Sequence, residues 1–272
     1  AVTLVLRPQD LHARRALSKS YLTLADMCET KAGYSRTLGW APIPNPRMTF
    51  GSAVDAAVEQ IIAAVRAGAP IGLIPRQAAA EVADRDEQPI DLDEIDLAVA
   101  GFETVVLPKF DWSWASLQPH LSVPTAEWGL LDGHPDILLH AEDGTPTAVL
   151  DVKTAQRTKL ESDVRSVELG FYVLLVQADS GATPGTVGYL TWVRVKRPYW
   201  QVLTATVDDD LLAHTTALVD RRAAQLRLAE TLGPEAPVMV GGPRWRGLCE
   251  SCEYAPWQGG PCPIARRGAS NG

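Results

Sequence analysis

Residues 133–154, with the sequence GHPDILLHAEDGTPTAVLDVKT, contain two short apolar runs separated by a turn signal. Asp143 and Gly144 stand between the runs and are typical of a tight hairpin connection. The second run is apolar at positions 148–150, so it predicts a strand whose two faces are both buried by the rest of the chain. We therefore expect a β-hairpin whose second strand is central in a larger sheet.

Three charged residues lie at the open end of this hairpin. Asp151 and Lys153 share one face of the second strand, because side chains i and i+2 point the same way, and Val152 points into the core. Asp136 begins the first strand. Asp136 and Asp151 are equally far from the turn when counted outward, so the two carboxylates are expected to lie near each other, with Lys153 beside them.

The residue types at this hairpin end suit a divalent cation. Two close carboxylates repel each other unless a cation lies between them. Oxygen ligands favour Mg²⁺ or Mn²⁺, with waters and substrate phosphate completing the shell. A lysine beside such an ion can orient a water and stabilise charge on phosphate, which indicates phosphodiester hydrolysis. An ordinary charge pair at an exposed strand end is the alternative for Asp151 and Lys153.

The rest of the chain predicts a mixed α/β protein. Some segments have the apolar spacing and capping residues of helices, and others are short alternating or apolar runs typical of strands. Predicted helices lie at 18–37, 52–67, 89–107, 162–179 and 208–232, and the third of them is expected to fray near Gly101. Predicted strands lie at 125–131, 135–140, 147–154, 186–196 and 198–208. The whole chain, 1–272, is expected to form a single domain. Its parts are a helical N-terminal region (18–120), a core (121–232) and a Cys-rich C-terminal segment (233–272).

Composition excludes some classes of protein. The net charge is −8, which argues against a coat of positive charge for nonspecific binding of nucleic acid. The sequence is 46% hydrophobic and can form a core, but it contains no uninterrupted apolar run of the length that a membrane span needs. The first residues do not have the pattern of a secretory signal. We expect a cytoplasmic protein that does not bind membranes.

In its order of motifs the chain resembles the PD-(D/E)xK nuclease superfamily, and more closely the RecB-like branch. The pattern of that branch is Gly, two residues, Asp, a hairpin, and an apolar run ending in Asp-x-Lys-Thr. Gly133, Asp136 and the run from Asp151 to Thr154 match it, and Asp132 is a rival for Asp136. The resemblance implies a restriction-endonuclease-like α/β fold, with a mixed central sheet flanked by helices.

Two further motifs of the branch have counterparts here, each with one substitution. The helix motif Gln-x-x-x-Tyr matches Tyr172, with Glu168 in the position of Gln, and an early Gly-x-x-x-His matches GSAVD, with Asp55 in the position of His. The resemblance implies substrate contacts from Glu168 and Tyr172. It also implies that Asp55 is a metal ligand, although a helix N-terminal carboxylate favoured by the helix dipole is the alternative.

The resemblance assigns the remaining roles in the centre. Asp136 and Asp151 would hold Mg²⁺ or Mn²⁺, helped by the Val152 carbonyl, and Lys153 would position the attacking water. The implied activity is DNA cleavage, most simply exonucleolytic and on single-stranded ends. The rival function is that of a non-catalytic DNA-binding or assembly subunit. A homo-oligomer or other recombination proteins are possible partners.

Four cysteines form a second possible metal site. Cys28 lies near the start of the chain, and Cys249, Cys252 and Cys262 lie near its end. In a reducing compartment, clustered thiols favour a metal over disulfides. The arrangement resembles nucleases of this branch that carry a structural 4Fe-4S cluster, with one cysteine before the nuclease core and three after it. Zn²⁺ is the alternative metal, because four thiolates satisfy either, and four unrelated thiols are a third possibility.

A pair of basic residues lies at the end of the fourth predicted strand. Arg194 and Lys196 are expected to share one strand face, because they are two residues apart. We predict that they contact substrate phosphate. A solvated strand end is the alternative.

Overall fold

The structure is a computed structural model that describes residues 16–28, 32 and 45–232. Within that part of the chain, four helices are followed by five strands, two helices, two strands and a final helix. The helices are α1 (Lys19–Met27), α2 (Pro46–Ala67), α3 (Ile74–Arg85), α4 (Leu92–Gly101), α5 (Glu161–Val164), α6 (Val167–Ser180) and α7 (Asp209–Leu232). The strands are β1 (Ala115–Leu117), β2 (Leu121–Thr125), β3 (Gly129–Gly133), β4 (Ile137–His140), β5 (Pro146–Ala155), β6 (Thr186–Val193) and β7 (Tyr199–Thr206).

Five of these strands form one mixed sheet in the order β1-β4-β5-β6-β7. β5 and β6 are parallel, and the other neighbours are antiparallel. Helices α2 and α6 both pack on β5, which explains why its apolar run is buried. The predicted fold, a mixed α/β sheet flanked by helices as in restriction-endonuclease-like proteins, is confirmed.

The predicted hairpin is formed by β4 and β5. Ile137 is opposite Leu150, and Leu139 is opposite Ala148. The connection spans residues 141–145, and Gly144 adopts φ 83° within it. That left-handed conformation favours glycine, so the turn signal in the sequence has a direct structural reason.

Helix α2 begins earlier than its apolar spacing predicts. The side chain of Asn45 accepts hydrogen bonds from the backbone N–H groups of Arg47 and Met48, and Pro46 occupies the first turn. These residues start the helix before the periodic apolar face begins. By length and composition α2 could cross a membrane, alone among the described helices, but much of its surface packs into the core with the sheet.

The predicted helix over 89–107 is divided in the structure. Helix α4 ends at Gly101, and a single π-helical turn follows at Phe102–Val106. A Cβ atom at position 101 would lie 3.0 Å from the Trp200 side chain, and Trp200 donates to the Ala98 carbonyl at 2.7 Å. The regular helix ends at Gly101, where the sequence predicts fraying, and packing against β7 gives the physical reason.

Two other expectations were wrong in detail. Residues 108–120, for which no strand is predicted, contain the edge strand β1, which is too short to show alternation. Strand β6 ends at Val193, so Arg194 and Lys196 lie in the turn before β7 and do not share a strand face. Because β6 ends at Val193, the residues that follow form the turn that leads into the antiparallel β7.

The chain groups into two compact units. One comprises Pro42–Leu121 and Gly133–Ala213 and contains the five-stranded sheet. The other comprises Ala1–Ala41, Ser122–Asp132 and His214–Gly272. In its described part, the backbone N–H of Leu17 donates to the Leu130 carbonyl at 2.7 Å.

Candidate active site

Asp136 and Asp151 lie side by side at the open end of the β4–β5 hairpin. The register that pairs Ile137 with Leu150 puts these carboxylates at opposed positions one residue further. The Asp136 carboxylate accepts a hydrogen bond of 2.8 Å from the backbone N–H of Val152, and the Asp151 side chain is fully buried, with 0% exposure. The predicted closeness is confirmed, and the Val152 N–H gives Asp136 a fixed orientation.

Lys153 reaches two carboxylates from the same strand face. Its ammonium group forms ion pairs with Asp151 and, at 3.2 Å, with Glu168. The Lys153 side chain is 26% exposed and that of Glu168 is 21% exposed, so both can be reached by water. Burial of Asp151 makes this pair far more than a solvated charge contact at a strand end.

Asp55 belongs to the same group of charges. Burial, followed by the negative charge of Asp136, raises the pKa of the Asp55 carboxyl to about 8, while Lys153 lowers it and Asp151 raises it further. Helix α2 begins at Pro46, so Asp55 lies well beyond the first turn. The helix N-terminus therefore does not explain this carboxylate, and three acids share one site.

Glu59 is a fourth acid that sequence reasoning missed. It follows Asp55 by one helical turn, burial raises its pKa, and its charge raises the pKa of Asp55. Gln118 connects it to the hairpin: its side-chain amide donates to Glu59, and its backbone N–H donates to the Asp136 carbonyl at 2.9 Å. The i, i+4 spacing of the two acids on α2 was the available signal.

Glu168 lies in the first turn of α6, held by side chains that sequence reasoning also missed. The hydroxyl of Tyr189 donates to Glu168 at 3.0 Å and lies 2.7 Å from the Ser166 hydroxyl. Burial, followed by the charge of Glu168, raises the pKa of Tyr189. Tyr189 is opposite Asp151 in the parallel β5–β6 pair, and this non-local pairing brings it to the site.

Tyr172 shapes the backbone that leads to Asp136. Its side chain is only 3% exposed, and its hydroxyl donates to the His134 carbonyl at 2.8 Å. A Cβ atom on Gly133 would lie 3.3 Å from the Tyr172 ring and 3.1 Å from Leu175. A glycine at position 133 therefore leaves room for the Tyr172 ring beside the backbone that leads to Asp136. This packing explains the glycine of the Gly-x-x-Asp motif.

Arg194 is engaged within the protein. Its guanidinium donates two hydrogen bonds to Glu94, of 2.8 and 2.7 Å, and lies 3.8 Å from the centre of the Phe50 ring. Trp192 also donates to Glu94, at 3.1 Å. Lys196 is exposed in the turn between β6 and β7. The two basic residues are therefore used differently, and their contact with substrate stays a prediction.

Replacement of Arg194 by alanine should lower the free energy of unfolding by roughly 1–3 kcal/mol, since it leaves the Glu94 carboxylate without its bidentate partner. Chemical denaturation measures this loss. Lys196→Ala is the matched control, with stability unchanged. Equal stability of Arg194→Ala and the wild type would show that the pair with Glu94 does not hold the fold together.

The donor chemistry of the site fits a hard divalent cation. Asp55, Asp136 and Asp151 supply carboxylate oxygens, and the raised pKa of Asp55 shows that their charges are crowded. Within residues 16–28, 32 and 45–232, however, no three His, Cys, Asp or Glu side chains form a ready-made metal cluster. The ammonium of Lys153 contacts Asp151, so a cation has to compete with it there.

Of the predicted cluster ligands, only Cys28 lies in the described part of the chain. It is buried directly after α1, and its backbone N–H donates to the Leu24 carbonyl at 2.8 Å. Cys249, Cys252 and Cys262 lie outside the described residues. The four-cysteine site stays a prediction.

Comparison with known proteins gives a family and a fold. The sequence model of the PD-(D/E)XK nuclease superfamily matches residues 16–257. A crystal structure of a candidate exonuclease from Eubacterium rectale is similar, with a TM-score of 0.56, 12% identity, and coverage of 93% of this chain and 92% of that one. The structure of SSO0001 is similar at a TM-score of 0.34 and 16% identity, covering 88% of this chain and 95% of that one, which is too distant to bear on the fold. No curated protein matches.

Proposed function

Because this chain belongs to the PD-(D/E)XK nuclease superfamily, we propose that it is a metal-dependent deoxyribonuclease whose centre contains Asp55, Asp136, Asp151 and Lys153. The positions of three acids carry the proposal: Asp55, Asp136 and the fully buried Asp151 share one site beside Lys153, where burial and mutual repulsion disfavour the charged form of Asp55. Neighbouring buried carboxylates destabilise a fold unless a cation neutralises their charges, so their presence favours a cation site.

In this proposal, Asp136 and Asp151 hold Mg²⁺ or Mn²⁺, with Asp55 and the Val152 carbonyl as further ligands. When bound, the ion stabilises charge on the phosphate and lowers the pKa of a water. The hydrogen bond from the Val152 N–H fixes one oxygen of Asp136 and leaves the other for the ion. Asp55 has to lose its proton before it can bind metal, so binding releases a proton.

The lysine acts on the substrate side of the centre. Lys153 donates a hydrogen bond to the attacking water or to the phosphate. Its positive charge stabilises the negative charge that develops on the phosphate. Tyr172 holds the backbone next to Asp136 from within the core. These roles need no movement of the sheet, because both residues are set on regular elements.

DNA with a free single-stranded end is the proposed substrate. The RecB-like pattern of motifs favours it, and the similar structure from Eubacterium rectale is that of a candidate exonuclease. Exposed Lys196 is proposed to contact phosphate. Action in the cytoplasm, and assembly with a second copy or with recombination proteins, are further expectations of the same hypothesis.

A direct assay tests the proposed function. The protein is incubated with end-labelled single-stranded and double-stranded DNA, with Mn²⁺, with Mg²⁺ or with EDTA. We expect cleavage with either metal and none with EDTA. Uniformly labelled linear single strands should be degraded faster than uniformly labelled circular ones, which have no ends. DNA that stays intact under all conditions, but is bound, would favour the non-catalytic subunit.

A structural 4Fe-4S cluster is proposed for Cys28, Cys249, Cys252 and Cys262, with Zn²⁺ as the alternative. Protein purified without oxygen should be brown and contain about four iron atoms per chain, and Cys28→Ser should lose the iron and the colour. A colourless protein with about one zinc ion per chain would replace the cluster with zinc. Neither metal would leave the four cysteines unrelated.

A further inference from the structure

The contacts of Lys153 create a conflict at the proposed centre. Its ammonium group is paired with Asp151, and Asp151 is also a proposed ligand of the divalent cation. Asp151 is fully buried, so an ammonium and a divalent ion cannot both approach it freely without strong repulsion. Metal binding therefore requires the ammonium of Lys153 to give way.

A second position for this ammonium already exists on α6. One oxygen of the Glu168 carboxylate lies 3.2 Å from the Lys153 nitrogen. The other oxygen accepts the hydrogen bond from Tyr189. The Tyr189 hydroxyl is itself within 2.7 Å of the Ser166 hydroxyl, and Ser166 caps α6. Glu168 is thus anchored to a helix start and a central strand, which gives the lysine a fixed partner.

We propose that Glu168 is a positioning residue that keeps the ammonium of Lys153 when a divalent cation takes over Asp151. The proposal rests on the proposed function, and it assigns Glu168 to the lysine and not to the DNA. Lys153 stays charged and close to the reacting phosphate, while Asp151 becomes available to the ion. Tyr189 contributes by fixing the orientation of the Glu168 carboxylate.

The charge of Glu168 is essential to this role. A carboxylate forms a charge-assisted hydrogen bond with an ammonium group, which is about twice as strong as a bond between neutral groups. A glutamine at position 168 would accept a hydrogen bond but not balance the charge. Lys153 would then remain on Asp151 and oppose the cation.

Calorimetric titration with Mn²⁺, without DNA, tests the inference on the whole protein. Glu168→Gln should weaken Mn²⁺ binding roughly tenfold. It should have an effect of less than about threefold when Lys153→Met is already present, because there is then no ammonium to displace. Tyr189→Phe removes no charge and should weaken binding by roughly threefold. Glu161→Gln, an exposed change of the same kind, is the control without effect.

The outcomes separate the inference from the proposed function. Equal weakening by Glu168→Gln with and without Lys153 would mean that Glu168 acts on the metal by its charge alone, and the inference would be wrong. The same holds if Glu168→Gln and Tyr189→Phe bind Mn²⁺ as the wild type does. Wild-type protein that binds no Mn²⁺, or binds it equally after Asp151→Asn, would instead refute the proposed metal centre.

Discussion

Replacement of Asp151 by asparagine should lower metal-dependent DNA cleavage by roughly a thousandfold or more, a loss at the upper end of those known for a single electrostatic group. Asparagine keeps the size of the side chain but removes the charge that attracts the cation. It also releases Lys153 from its ion pair with Asp151. Both the metal and the lysine are therefore affected by one substitution, which is why we expect the largest loss of activity here.

Initial rates of release of an end label measure this loss, with Mn²⁺ concentration varied to separate weaker binding from slower chemistry. Asp143→Asn makes the same chemical change in the exposed turn of the same hairpin and should leave the rate near that of the wild type. Lys153→Met should also lower the cleavage rate at least a hundredfold, while the variant still binds Mn²⁺. Cleavage by Asp151→Asn at the rate of the wild type would exclude Asp151 from the reaction.

Replacement of Asp55 by asparagine should stabilise the metal-free protein at pH 8, and much less at pH 5. The pKa of the carboxyl rises from 3.8 to about 8 on folding, because the folded state buries it beside other acids. Between these values, the folded state keeps a proton that the unfolded state releases. The contribution of Asp55 to the stability of the wild type therefore falls as pH rises, by up to about 1.4 kcal/mol per pH unit.

Melting temperatures of both proteins in EDTA, from pH 5 to pH 9, measure this difference. Asparagine does not titrate, so the variant should gain an advantage that grows up to about pH 8 and then stays constant. Each kcal/mol corresponds to roughly 2–4 °C. Asp84→Asn, an exposed change on α3, is the control whose melting curve should follow that of the wild type. Parallel curves for wild type and Asp55→Asn would contradict a buried, repelled carboxylate.

Mn²⁺ should reverse the advantage of the asparagine variant at high pH. The ion binds the ionised form of Asp55 and stabilises the folded state by mass action. Wild type should therefore gain more in melting temperature from Mn²⁺ than the variant does, and more at pH 8 than at pH 6. An equal gain for both proteins would leave Asp55 outside the metal site.

The parts of the site that lie on one hairpin were predictable from sequence. The distance of Asp136 and Asp151 from the turn determines which residues of an antiparallel pair are opposed. The two-residue period of a strand then puts Lys153 on the face of Asp151. These relations are local, so no knowledge of the remaining fold is needed.

The parts that depend on distant pairing were not predictable. Tyr189 reaches the site only because β6 lies parallel to β5 with Tyr189 opposite Asp151, and nothing within either strand determines that register. Glu94 is far from Arg194 along the chain, so the sequence did not reveal the bidentate ion pair between them. In both cases the partner comes from another element.

The central claim is that Asp136 and Asp151 hold the catalytic cation, and anomalous scattering from crystals soaked in Mn²⁺ tests it most directly. We expect an anomalous peak about 2.1 Å from an oxygen of each carboxylate, with the ammonium of Lys153 on Glu168 and away from Asp151. An anomalous peak at a different group of residues, in crystals of protein that cleaves DNA with Mn²⁺, would contradict the claim.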